Sequence, residues 1–177
     1  NFPDKGILQF YIAADDLYGM NFDDQQQQSG FRVLYFDHVI EDTSQLRQDF
    51  SEFELSEEDY LPFTGQYSVQ FKLEQQPISL SDHEFNIGDG TDEFYNAYGE
   101  TFLAMGHRLS GYPYFTQSDP RGDKKNIQDY ILLFQLDTDD AENEIMWGDS
   151  GVGNFFIHPE DLKKRDFSKV FYNWDCC

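Results

Sequence analysis

Five short runs, each dense in rings and branched side chains, decide what this chain can fold into. They are "ILQFYI" at 7–12, "FRVLYF" at 31–36, "YILLFQL" at 130–136, "NFFI" at 154–157 and "VFYNW" at 170–174. Each has the length of a strand, and each is bounded by Gly, Asp, Asn or Ser turn chemistry. No long stretch carries a helical period. The expectation is a mainly β fold with a few short helices: twisted, mostly antiparallel sheets around an aromatic core. Aromatic residues make up 18% of the 177 positions, so rings supply the core area that a 39% hydrophobic content would otherwise leave short. One domain of this size folds alone.

In 6–14, Leu8, Phe10 and Ile12 alternate with Ile7 and Tyr11, which suits a strand covered on both faces. "NFDDQQQQSG" reads as an exposed loop, with Gln25 to Gln28 its most mobile part, and joins the first strand to 31–36 as a long hairpin. Thr43 and Ser56 look like N-caps of brief helical turns. "QYSVQFKLE" at 66–74 has the cleanest alternation in the chain: Tyr67, Val69, Phe71 and Leu73 against Ser68, Gln70 and Lys72. It predicts a half-exposed antiparallel strand. Phe94, Tyr98 and Phe102 recur every four residues and predict a helix over 92–104, ended by Gly106. "DYILLFQLD" predicts a central strand, and "EIMWG", "NFFIH" and "FSKVFYNW" three more. "HPEDLKKR" places Pro159 first, acids early and bases late, as a small helix requires. "ILQFYIAADD" at 7–16 aligns without a gap on "ILLFQLDTDD" at 131–140, which raises a duplicated β unit.

Charge bounds the partners. Asp and Glu total 34 against 12 Lys and Arg, a net −22. Such a field repels phosphate backbones and anionic lipid heads, so neither nucleic acid nor membrane is an expected partner. It favours a basic protein or a divalent cation, or serves solubility alone. The only cysteines are the adjacent Cys176 and Cys177, which fit no disulfide framework; a reducing, cytoplasmic setting is expected. There is no apolar run of membrane length and no signal-like leader. Nothing calls for a cofactor, and the oligomeric state is not encoded legibly.

"GDSGVG" at 148–153 is close to a serine-protease nucleophile loop, but Val152 and Gly153 break the match and no histidine has the required surroundings; a tight turn between strands explains it. "DTDDAENE" at 137–144 is rich in oxygen ligands, with Asp137 and Asp139 the candidate metal ligands. A calcium loop needs Gly sixth and Glu twelfth, where counting from Asp137 gives Glu142 and Gly148, so an acidic hairpin turn is the simpler account. "SDPRGDKKN" reads as an exposed turn, and its Arg-Gly-Asp as turn composition.

"HRLSGYPYFTQSDPR" at 107–121 has no period yet carries many specific side chains. Its fixed and permissive backbone positions, Pro113, Pro120 and Gly111, predict an ordered irregular segment. Tyr112, Tyr114 and Phe115 are expected to wedge between the sheet and the 92–104 helix. Its polar residues either satisfy buried backbone groups or line a pocket. The candidate pocket is His107, Tyr112, Gln117, Asp119 and Arg121, with Trp147 and Asp149 from the later turn. His107 could serve as a general base, yet no triad or metal triangle can be assembled from spacing.

"KGILQFYIAADDLYG", "GFRVLYF", "HRLSGYPYFTQSDPR", "YILLFQLDTDD" and "IMWGDSGVGNFFI" with the closing "DFSKVFYNWDCC" together resemble the YwqG-like family, a bacterial-type domain of unknown function. The resemblance covers nearly the whole chain as one domain over 1–177 and implies a mainly β fold of duplicated character. Members carry further sequence before the first strand, so the chain is expected to lack that portion. No catalytic activity is established for the family as a class, and an immunity or partner-binding role is proposed for relatives. The family pattern draws the eye to His107, Gly111, Tyr112, Pro113, Gln117, Asp119, Asp137, Trp147, Gly148, Asp149, Gly151 and Phe155, without transferring a role to any. The expected function is a non-enzymatic, acidic, cytoplasmic protein-binding module; the alternative is a small-molecule or divalent-metal binder or hydrolase using 107–121 with the Asp137 and Asp149 loops.

Overall fold

A computed structural model describes residues 2–53, 55–56, 59–139 and 144–177. The chain is mainly β, as the aromatic runs require. Strands β1 (Ile7–Ile12) and β2 (Phe31–Phe36) form an antiparallel pair. Strands β3 (Arg108–Leu109), β4 (Ile131–Asp137), β5 (Val152–Ile157) and β6 (Phe171–Asp175) form an antiparallel sheet in that order. Two helices punctuate them, α1 (Asp92–Thr101) and α2 (Pro159–Lys164).

The register of the larger sheet sorts its side chains into two unlike faces. Pairing Leu132 with Phe156 and Phe134 with Phe155 leaves Leu133 as a bulge, so Leu133 and Phe134 both turn to the aromatic face. There Phe134, Phe155 and Tyr172 lie side by side, with Phe155 and Tyr172 stacked at 4.5 Å and 14°. The hairpin lies on this face. Phe10 reaches Phe134 at 4.7 Å and Phe155 at 5.1 Å, and Phe31 reaches Tyr172 at 5.1 Å. Leu133, Ile157, Leu162, Val170 and Trp147 complete this core. Trp147 packs over Gly153, where an added Cβ would meet its ring at 2.5 Å. Only one face of the hairpin is covered. Ile7 and Tyr11 stay exposed because, among the described residues, no third layer lies beyond β1, against the expectation of a strand covered on both sides.

The opposite face begins apolar and turns polar. Leu132, Phe156 and Phe171 join Phe115, Ile127 and Tyr130 in a second cluster. The next rows along the same face are Gln135–Asn154–Asn173 and Asp137–Val152–Asp175. Those amides and carboxylates are buried. Buried polar rows need partners, and they are what positions the irregular segment described below.

Several expectations are corrected. The Gln25–Gln28 run is tied down: Gln25 Nε2 donates to Asn173 Oδ1 at 2.8 Å, Gln26 Nε2 to Tyr130 Oη at 2.9 Å, and Gln28 Nε2 to the Phe167 carbonyl at 2.6 Å. The Gln25 carbonyl accepts the Tyr172 N–H at 3.0 Å, capping the outer edge of β6. Asp42, not Thr43, caps the first short turn, and the cap at Ser56 runs into residues 57 and 58, outside the described set. "EIMWG" forms only a single bridge, Asp139 to Ile145, because Met146 N–H is taken by the Pro62 carbonyl. Thr91 caps α1 as its sequence suggests, but the helix stops at Thr101 and buries no residue fully. Its rings stack on one another and on Phe85, which lies 5.2 Å from Tyr98. Phe115 therefore does not wedge beneath α1; it stacks on Phe156 at 6.0 Å and 12°.

Residues 66–74 depart furthest. They form neither strand nor helix, and all are exposed, with Val69 at 71%, Phe71 at 79% and Leu73 at 100%. Alternation fixes which side chains share a face but cannot supply a neighbouring strand. Phe71→Ser is accordingly expected to change the unfolding free energy by less than about 0.5 kcal/mol, checked by urea denaturation.

Candidate functional site

The polar rows of the sheet hold 104–121 in place through hydrogen bonds to its backbone. Gln135 Oε1 accepts the Tyr114 N–H at 2.8 Å, and Gln135 Nε2 donates to the Ala104 and Gly106 carbonyls at 2.9 and 2.8 Å. Asn154 Nδ2 donates to the Tyr114 carbonyl at 2.8 Å. Asp137 Oδ2 accepts the Gly106 N–H at 2.5 Å, and Asp175 Oδ2 accepts the Gln117 N–H at 2.7 Å. Outside the short pairing of β3 with β4, the segment thus finds its hydrogen-bond partners in side chains from β4, β5 and β6. Ser110 and Gly111 both take positive φ, 64° and 83°, which turns the chain between β3 and Tyr112.

The candidate pocket residues divide among several places. His107 sits at the end of β4. Its Nδ1 accepts the Asp137 N–H at 3.1 Å, which leaves the proton of a neutral ring on Nε2, 3.7 Å from Asp139 Oδ2. Asp137 spends its oxygens on the Gly106 and Thr138 N–H groups. Gln117 binds the Cys176 carbonyl at 2.8 Å. Trp147 is in the aromatic core, edge-on to Tyr18 at 5.5 Å. Asp149 is exposed in a turn closed by the Gly151 N–H on the Trp147 carbonyl at 2.6 Å, the tight turn expected of "GDSGVG". Residues 140 to 143 of the acidic loop lie outside the described set.

Tyr112, Asp119 and Arg121 do come together, with residues that spacing gave no reason to choose. Arg121 is buried, correcting the exposed turn read at 118–126. Its Nη2 donates to Asp82 Oδ2 at 2.7 Å and Asp119 Oδ2 at 2.6 Å, its Nη1 to the Tyr130 carbonyl at 2.8 Å, and its guanidinium lies 4.7 Å from the Phe156 ring centre. Burial works against the charge, but the two carboxylates hold the guanidinium pKa above its usual value. A cleft of about 230 Å³ opens beside them, lined by Asp82, His83, Tyr112, Arg121, Asp129 and Tyr130 among others. His83 gives its backbone N–H to Asp119 at 3.0 Å, and its buried Nε2 has no hydrogen-bond partner among the described residues. Asp82, His83 and Asp119 have donor atoms within 4.8 Å of one another, a spacing that could hold a metal ion. The guanidinium already supplies the positive charge there, so a divalent ion would have to displace Arg121 from both carboxylates.

Asp175 gives a pH dependence. Burial raises its carboxyl above 3.8, the hydrogen bond from the Gln117 N–H opposes this, and the charge of Asp137 adds to it. The native state therefore holds the proton more tightly than the unfolded chain. Ionised Asp175 costs stability at neutral pH, and the cost disappears as pH falls through the raised value toward 3.8. Asp175→Asn keeps an acceptor for Gln117. It is expected to be more stable than the wild type at neutral pH and to lose that advantage on acidification, read from urea melts across pH.

The architecture is that of a small two-sheet β domain with an aromatic interior and a strapped polar face. The chain matches the model of the domain of unknown function DUF1963 over residues 1–176 and belongs to that family. The expectation of a domain of unknown function holds at this level. No curated protein matches the chain. Among the described residues, no helix is long and apolar enough to cross a membrane.

Proposed function

We propose that the chain is a non-enzymatic acidic module that binds a basic protein partner in the cytoplasm. The observation that carries this reading is where the exposed apolar side chains fall. Val39, Ile40, Phe50, Phe53, Leu55, Tyr60, Val69, Phe71 and Leu73 are all exposed and all lie between β2 and α1. Residues 37–75 hold ten acidic side chains against two basic ones in a chain of net −22. Apolar side chains interleaved with acid suit a cationic, partly apolar surface, and the field speeds its capture. The four described histidine rings favour no catalytic reading. Three have ring hydrogen bonds, to backbone N–H groups or a carboxylate, and none of these reaches a hydroxyl or thiol.

The test is retention of purified proteins of graded charge on the immobilised chain at rising salt, with Phe50→Ser/Phe53→Ser beside the wild type. Salt-sensitive retention of basic proteins, weakened in the variant, is the expected result. No retention at low ionic strength overturns the reading. A second reading, small-molecule or divalent-metal binding, is favoured by the cleft at Tyr112 and Arg121 and the unpartnered His83 Nε2. It requires His83→Ala to abolish a calorimetric signal on titrating Zn²⁺ or Mn²⁺ into the chain.

A further inference from the structure

We infer that residues 66–74 are a strand held in reserve, which pairs edge to edge with an extended cationic segment of the partner. The inference rests on the acidic-module reading above and adds how the partner docks. Three observations meet in this segment. Its sequence is the most regular strand pattern in the chain, with Tyr67, Val69, Phe71 and Leu73 on one face. Its side chains are exposed, the apolar ones as much as the polar. Among the described residues, none of 66–75 takes part in a backbone–backbone hydrogen bond, within a strand or outside one. Exposed backbone groups on a β-prone, alternating run are the template that strand addition uses: the ladder supplies affinity, and alternate side chains supply selectivity. Paired over its length, the segment would span about 30 Å.

Charge decides the occupant. A second copy brings another −22 and is repelled. The segment's own cation, Lys72, is paired with Glu74, and Arg47 in the same acidic excursion is paired with Glu52. A strand with Lys or Arg at alternate positions and branched apolar residues between them satisfies both features: its apolar face covers Val69, Phe71 and Leu73, and its charge is opposite to the chain's net −22.

The probe is a nonapeptide of alternating Lys and Val, with a Glu–Val nonapeptide as control, titrated into the full chain. Binding is followed by calorimetry and by amide hydrogen exchange. The expected result is new protection at the amides of 66–74 with the Lys peptide alone. Gln70→Pro should weaken binding about tenfold or more, because it breaks the ladder while sparing the apolar face and the charge, whereas Gln70→Ala should stay within about twofold. Unchanged melting of both variants shows that the fold is intact. Equal binding of the peptide by Gln70→Pro, or protection elsewhere, overturns strand pairing and leaves the acidic-module reading standing. Protection of 66–74 that grows with protein concentration and needs no peptide overturns it in favour of a second copy. If neither the peptide nor any basic protein binds at low salt, both readings fall.

Discussion

Arg121→Met lowers the unfolding free energy by about 3–5 kcal/mol, because it leaves two buried carboxylates without their counter-charge. Asp82 and Asp119 each have side chains 3% exposed, and Arg121 bridges them at 2.7 and 2.6 Å. Methionine keeps most of the volume over Phe156, so the loss reports charge rather than a cavity. The cost is that of breaking a buried network, not the worth of the network itself. Adding Asp82→Asn and Asp119→Asn to Arg121→Met therefore recovers part of the loss, and the triple variant is more stable than the single one. Urea denaturation of the wild type, the single variant and the triple variant measures this. A single variant within about 1 kcal/mol of wild type would show that the cluster is hydrated and inconsequential.

Trp147→Ala costs about 3–5 kcal/mol, corresponding to a fall in Tm of about 10 °C for a domain of this size. The indole is 1% exposed, lies edge-on to Tyr18, and covers the open backbone at Gly153, which no other residue type leaves room for. Removing it opens a cavity between the hairpin and the larger sheet. Trp147→Phe keeps part of the ring area and costs less. Calorimetric melting ranks the three proteins. An alanine variant that melts with the wild type would mean that Trp147 faces a site and not the core.

The sequence made β1, β2, β4, β5 and β6 legible because rings and branched residues at strand spacing leave few alternatives, whereas β3 lies inside the run read as irregular. Phe10, Phe31, Phe134, Phe155 and Tyr172 sit in the core their runs implied. It also marked 107–121 as ordered and irregular, and offered satisfied backbone as one of two roles. What it hid was non-local. Gln135 and Asn154 carry no local mark of a binding role within their strand runs, yet they are the anchors of Tyr114. Arg121 stands in a turn-like Pro-Arg-Gly-Asp run, and only Asp82, far away in sequence, reveals why it is buried. The bulge at Leu133 leaves no mark in the order of apolar residues. The 66–74 run misleads for the opposite reason: strand pattern is a local property, and strand pairing is not. Of the candidate pocket, Tyr112, Asp119 and Arg121 are brought together, while His107, Gln117, Trp147 and Asp149 serve other parts of the fold.

Native-state amide hydrogen exchange tests the division into a tied body and an unused strand most directly. The Gly106, Tyr114 and Gln117 amides, bound to Asp137, Gln135 and Asp175, should be protected together with β4 and β5, while those of 66–74 in the unbound chain exchange close to the unprotected rate. Strong protection across 66–74 in the isolated chain, or free exchange at Tyr114, would contradict the account.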